Sequence, residues 1–289
     1  MTWGISGDRF LVSYVVMLAT AALAGVLWRW WATAGHATDS ADGIDGTELA
    51  FLNAGGLLAC QVGLTTLRRT GQVEPADLST LVATGRLRPA ADSLTRALHR
   101  TMFPLPQSVP QIFGDLRVRQ VLASLHRRLM RRGWLLSRGR RRAAKLGSLP
   151  LFGTAMLGLV RLGAGVVGKE GLGNPGDIAG LILLVAGTVF AGWALLSVPD
   201  VSRTGRRVLR HARRTNAELD PRQKPAWTGR GVDELTLAMA LFGPSPLLAV
   251  DPQFAGVIGI RKDVRYPFPR QFDTGGYGGL LTPGSDRLQ

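Results

Sequence analysis

Residues 10 to 28, FLVSYVVMLATAALAGVLW, run without a charge between Arg9 and Arg29. A helix of about 20 apolar residues is long enough to cross a hydrocarbon core of about 30 Å. Trp28, Trp30 and Trp31 follow as an aromatic belt at one interface. The competing reading is a cleaved signal peptide, since Ala32-Thr33-Ala34 resembles a small-residue cleavage site. The run is long for a signal, and tryptophans with an arginine stand where small residues belong, so a retained span is expected.

Two more apolar runs follow, about Leu149 to Val167 and about Ile178 to Val198. Only GKEGLGNPGD separates them, so they read as a membrane hairpin. Arg161 interrupts the first of the pair near the turn, where its long stem can snorkel outward. Gly158, Ala164, Gly187 and Ala191 are small enough to let helices approach closely.

Cations near the span ends set the orientation. Before the hairpin stand Arg127, Arg128, Arg131, Arg132, Arg138, Arg140, Arg141, Arg142 and Lys145, with no acid after Asp115. After it come Arg203, Arg206, Arg207, Arg210, Arg213 and Arg214, opposed only by Asp200, whereas the turn holds Lys169, Glu170 and Asp177. Both basic flanks are therefore expected in the cytoplasm and the turn outside. By parity the N-terminus is outside, with residues 34–147 and the C-terminus inside a multi-pass inner (plasma) membrane protein. Composition agrees: 19% of the 289 residues are charged, below the quarter usual in soluble domains. The net charge of +15 calls for an anionic partner, lipid headgroups or nucleic acid. One cysteine, Cys60, allows no internal disulfide and reads as a small buried hydrophobe.

The segment between the first two spans opens with a polar linker, HATDSADGIDG. Asp39, Asp42, Asp45 and Glu48 recur every third residue, unlike a calcium loop, and read as solvated linker acids running into a helix start. Leu49, Leu52, Leu57, Leu58, Val62, Leu64 and Leu67 recur at helical spacing, split by Gly55-Gly56, and Gly71 caps the end. Val73 opens an extended piece, LSTLVATGRL reads as strand and turn, and a helix over about 90–102 leads into the break FPLPQSVP. Leu116, Val118, Val121, Leu122, Leu125 and Leu129 then line a second helix face, capped by Gly133 before an extended Trp134-Leu135-Leu136. Superposing Gly71 on Gly133 sets Leu67 on Leu129 and Val73 on Leu135, a weak repeat suggesting winged-helix-like units.

Beyond the third span, SRTGRRVLRHARRTNAEL predicts a basic amphipathic helix with Val208, Leu209 and Ala212 on its less polar side. A loop and an apolar-faced helix at 233–243 follow, and from 244 the glycine, proline and aromatic content predicts a largely disordered tail. The expected fold class is mainly α: a three-span helical membrane protein with a small winged-helix-like cytoplasmic domain. The expected divisions are a first span (1–33), a cytoplasmic helical domain (34–147), the hairpin (148–199), basic juxtamembrane helices (200–243) and the tail (244–289).

Catalytic chemistry has no visible carrier. His36, His99, His126 and His211 have no second histidine at i+3 or i+4, GKEGLG lacks the ending of a phosphate loop, and no GxSxG occurs. No catalytic, metal or cofactor residue is assigned, and an enzyme would have to assemble its site from distant segments. The expected function is a non-catalytic scaffold whose basic region binds a protein partner or anionic lipid. Its anionic-surface contacts are Arg127, Arg128, Arg131, Arg132, Arg138, Arg140, Arg141, Arg142, Arg206, Arg207 and Arg210. The alternative is a membrane-tethered nucleic-acid-binding regulator using Arg127, Arg128, Arg131 and Arg132 on phosphates, with affinity falling steeply in salt. The bilayer competes for those arginines, and no asparagine or glutamine set for base reading precedes them.

Five segments taken together, ELAFLNAGG (48–56), LVATGRL (81–87), LRVRQVLASLHRRLMRRGWLLS (116–137), DVSRTGRRVL (200–209) and ALFGPSPL (240–247), give the chain a likeness. It resembles an actinobacterial family of uncharacterised membrane proteins with an N-terminal membrane helix, a cytoplasmic helical region, a membrane hairpin and an often glycine-rich C-terminal tail. The segment after Gly55-Gly56, LLACQVG, departs from more polar relatives, and only GGYGG represents the usual low-complexity end. The resemblance implies the same layout and no catalytic residue.

Overall fold

The structure is a computed structural model that describes residues 7–32, 43–167, 175–196, 200–223, 225–227 and 229–260. In chain order the elements are α1 (Gly7–Ala32), α2 (Gly46–Arg69), β1 (Val73–Pro75), β2 (Thr80–Ala83), α3 (Ser93–Thr101), β3 (Gln107–Ser108), α4 (Val109–Gly114), α5 (Leu116–Arg131), α6 (Arg138–Leu146), α7 (Leu149–Val167), α8 (Pro175–Leu196), α9 (Arg203–Thr215), α10 (Val232–Phe242), α11 (Ser245–Val250) and α12 (Pro252–Val257). The protein is mainly helical and divides into two compact units: residues 1–34 with 136–202, and residues 35–135 with 203–289.

The first unit is built on α1, α7 and α8, packed pairwise. Their contact depends on Gly158. A Cβ there would lie 2.6 Å from Val185 Cγ2 and 2.8 Å from Tyr14 Oη, so only glycine lets α7 come this close to both neighbours. Tyr14 is buried and donates its hydroxyl to the Thr154 carbonyl at 3.2 Å. Thr154 and Thr188, also buried, return their hydroxyls to the Leu151 and Leu184 carbonyls of their own helices, at 2.8 and 2.6 Å, leaving no unmet donor in an apolar setting. Of the other small residues expected at these contacts, Gly187 is exposed with nothing within 4 Å of its would-be Cβ. The Ala164 side chain lies outside the described residues, as does that of Arg161. Outward, Val12, Val16, Leu23, Leu27, Met156, Leu159, Leu183 and Phe190 are exposed, an apolar surface of the kind lipid covers.

Among the described residues three helical stretches are long and apolar enough to cross a membrane: Val12–Ala32, Gly46–Arg69 and Arg142–Val160, with a shorter apolar stretch at Ile182–Trp193 in α8. The set differs from the expected one in α2. Its most apolar window is 78% buried inside the protein, against 17% for that of α1 and 39% for the one reaching into α7. The apolar side chains of α2 are already covered by α10, α3, α9 and α5.

The second unit surrounds α2 with these helices and a small sheet. Helix α2 is interrupted where the paired glycines predicted it: Ala54 (φ −141°, ψ 19°) and Gly55 (φ 80°, ψ −166°) leave helical geometry. Leu52, Leu64, Leu67, Leu94, Leu98, Leu129, Met239 and Phe254 form the buried core. Burying each such side chain contributes about 1.5–3 kcal/mol. The sheet is antiparallel in the order β1-β2-β3, with Val73 opposite Ala83 and Leu81 opposite Gln107. Trp134, Leu135 and Leu136 are buried as expected of a core segment but lie outside this sheet. Leu116, expected on the inner face of α5, is 68% exposed.

Two expectations are revised. Residues 245–257 form α11 and α12, closing on the core through Leu247, Phe254, Ile258 and Ile260, at the start of the segment 244–289 expected to be a largely disordered tail, whose residues 261–289 lie outside the described residues. Apolar residues at three- and four-residue spacing carry these short helices through a proline-rich stretch, because Pro246 and Pro252 stand in their first turns. The expected division between residues 34–147 and 200–243 also moves: α9 to α12 belong to the same unit as α2 to α5.

Candidate anion-binding surface

Six of the 13 residues of α9 are arginines. Arginine is a good helix former, and Gly205, Val208 and Leu209 supply a buried stripe that seats the helix on α2 and α10. The geometry then sorts the arginines. Arg206, Arg207, Arg210 and Arg214, with His211, project from the exposed side. Residues three and four apart are neighbours on a helix surface, and like charges there repel by a few tenths of a kcal/mol per pair. No carboxylate pairs with these four guanidiniums among the described residues.

Arg213 points the other way. Its Nε donates to the Leu241 carbonyl at 2.8 Å and its Nη2 to Asn53 Oδ1 at 2.7 Å. Asn53 in turn donates Nδ2 to the Ala240 and Leu241 carbonyls at 2.9 and 3.0 Å. These carbonyls end α10, and Asn53 stands where α2 breaks, so one arginine and one asparagine satisfy groups a helix end leaves unpaired. Burial lowers the pKa of Arg213, and Asp220 pulls it back up.

The arginines at the end of α5, with the capping Arg132, divide in the same manner. Arg127 and Arg131 are exposed. Arg128 and Arg132 are instead bound to Glu48 at the start of α2, Nη1 to Oε1 at 3.2 Å and Nη1 to Oε2 at 2.9 Å. The Arg132 guanidinium also lies 5.1 Å from the Trp134 ring centroid. Glu48, expected to be a solvated linker acid, is 2% exposed. It lines an open cavity of about 250 Å³ with Asp45, Thr47, Asp92, Val121 and Arg128. Asp92 there accepts from Thr47 Oγ1 at 3.0 Å and caps α3 through the Thr95 amide at 3.2 Å, so its carboxylate, like that of Glu48, serves the packing of α2 on its neighbours.

In the first unit, α6 begins at Ser137, whose Oγ accepts from the Arg140 amide at 3.3 Å. Arg142 and Lys145 are exposed, Arg140 is half-buried, and the side chains of Arg138 and Arg141 lie outside the described residues. Trp28, from the expected aromatic belt, donates Nε1 to the Ala143 carbonyl at 2.7 Å and tethers α6 to the end of α1. The expected contacts thus fall on three helices. Sequence reasoning missed Glu48 and Asn53, whose only signal was a polar residue at a core position of a helical repeat.

Among the described residues no group of three or more histidine, cysteine, aspartate and glutamate side chains is placed to hold a metal ion. No family model, curated protein or solved structure matches the chain.

Proposed function

We propose that this chain is a non-catalytic, multi-pass membrane protein that presents a basic helical domain to anionic lipid in the cytoplasmic leaflet. The observation that carries the reading is the exposed row Arg206, Arg207, Arg210 and Arg214, which meets no carboxylate among the described residues. Phosphate headgroups would relieve its self-repulsion, each cation near an anionic surface contributing about 1 kcal/mol. Arg127, Arg131, Arg142 and Lys145 extend the same chemistry on α5 and α6.

The proposed spans are α1, α7 and α8, oriented with the N-terminus outside. Cation placement supports the orientation, and the packing of α2 against α10 supports α7 and α8 as a paired crossing, since segments on either side of the hairpin belong to one folded unit. A winged-helix-like character for the domain over residues 34–147 is supported by α3, α4 and α5 beside a three-stranded antiparallel sheet, and membership of the actinobacterial family by the five segments quoted in the sequence analysis.

The test is the phospholipid that stays with the full chain after extraction in mild detergent. Enrichment in phosphatidylglycerol or cardiolipin is expected, and the R206S/R207S/R210S/R214S variant should lose it. Anionic lipid retained equally by both proteins, or enriched in neither, would sink the reading.

A further inference from the structure

The end of the small sheet next to the α2 terminus carries a second surface of different make. Backbone and side-chain hydrogen bonds gather three segments there. The Thr84 amide donates to the Gln72 carbonyl at 3.1 Å, Gln72 Nε2 donates to the Arg86 carbonyl at 2.9 Å, and the Ala83 amide meets the Met102 carbonyl at 3.4 Å. His99 Nε2 lies 2.9 Å from the Gly85 carbonyl oxygen. These bonds set the 84–88 loop beside the end of α3 and the residues that leave it. Phe103 and Leu105 follow directly and are 67% and 66% exposed. Arg86, Arg88 and Arg100, from the same two segments, are exposed as well, and none has a carboxylate partner among the described residues. Met102, between the exposed Arg100 and Phe103, is fully buried, so the core fixes the segment from which Phe103 projects.

An exposed aromatic and leucine on neighbouring segments that also carry three exposed arginines have the composition of a surface that dips into the headgroup boundary of an anionic membrane. The apolar pair enters the acyl edge and the guanidiniums meet phosphates. Nucleic acid suits it less, because leucine offers no face for stacking a base. We infer that Phe103 and Leu105, with Arg86, Arg88 and Arg100, form an interfacial docking surface for the anionic leaflet. The inference rests on the membrane anchorage proposed above but not on α9, which contributes no residue to it.

The experiment uses the full chain with Cys60→Ala and a single nitroxide in place of Leu105, reconstituted in nanodiscs of phosphatidylcholine alone or mixed with phosphatidylglycerol. A matching label replaces Leu78, which lies in the turn joining β1 to β2 and is 94% exposed. The expected result is a severalfold rise in the ratio of oxygen to nickel-chelate accessibility at 105 in the anionic discs, absent at 78 and lost in R86Q/R88Q/R100Q. The inference is overturned if 105 stays as wet as 78 in both lipids, if the glutamine variant leaves its depth unchanged, or if only added duplex DNA immobilises it. A wet 105 alongside intact lipid retention would remove this surface and leave α9 standing; a lipid-immersed 105 with no anionic lipid retained by α9 would do the reverse.

Discussion

At Gly158 an added methyl would fall 2.6 Å from Val185 and 2.8 Å from Tyr14 Oη, inside any tolerable contact, so α7 must withdraw from both neighbours. Gly158→Ala is expected to cost ~1–3 kcal/mol, as overpacking does, and to lower the melting temperature in detergent by several degrees. Gly187→Ala, with nothing within 4 Å of the new carbon, should leave it unchanged or raise it slightly. In the second unit Asn53→Ala would strip the Ala240 and Leu241 carbonyls of a donor and Arg213 of an acceptor. Buried groups left unpaired cost about 1–3 kcal/mol, and urea titration of the purified full chain should show that loss. Removing the Glu48 carboxylate has a related effect with a discount, since the side chains of Arg128 and Arg132 remain 46% and 29% exposed and can turn to water. Glu48→Ala is expected to destabilise by about 2 kcal/mol, below the 3–5 kcal/mol of a fully buried pair.

At the scale of elements, the repeat read from the sequence has a physical counterpart in the helix caps. Gly71 and Gly133 sit at φ 71° and 72°. At the first, the Gly71 and Gln72 amides donate to the Arg68 and Leu67 carbonyls; at the second, the Gly133 and Trp134 amides donate to those of Met130 and Leu129. The two ends share one left-handed closure, which fits only glycine comfortably. Gly71→Ala and Gly133→Ala should therefore each cost about 1 kcal/mol from backbone strain, and similar shifts in urea midpoint would verify the equivalence. Such caps were legible because they depend on a glycine and the turn before it. The break at Gly55, the two halves of the hairpin and the apolar stripe of α9 were legible for the same reason, since each is encoded within a dozen residues. The sheet was only half visible: β3 has two residues and owes its pairing to β2. The partners of Glu48, Asn53 and Arg213 could not be read, because they lie 80, 187 and 160 residues away in sequence. Charge runs alone could not separate the arginines of α9 that face solvent from the one that closes α10.

For the molecule as a whole, the decisive fact is that one folded unit is made from segments on either side of α7 and α8. Helix α2 receives its largest cover from α10, more than 160 residues later, and the Asn53–Arg213–Leu241 bonds lock that contact. Such packing cannot form across a bilayer, so the crossings proposed for α7 and α8 predict that the chain is back on its starting side after them. A cysteine at Leu78 and one at Arg222, both exposed in the second unit, are each expected to react with a membrane-impermeant maleimide from the same side. Cys60, 1% exposed, should stay silent in intact membranes, and a cysteine replacing Glu170 in the connection between α7 and α8 should react only from the opposite side. The same dependence has a consequence for synthesis: until α10 arrives, α2 lacks the largest part of its cover, although its length and composition match a membrane span. A chain ended after Ser202 is thus expected to expose α2 and to be degraded or to label strongly at Cys60. Coexpressing residues 203–289 should restore protection if the second unit is what shields it. Labelling of Leu78 and Arg222 positions from opposite sides would break the shared-compartment argument, and with it the assignment of α7 and α8 as a paired crossing.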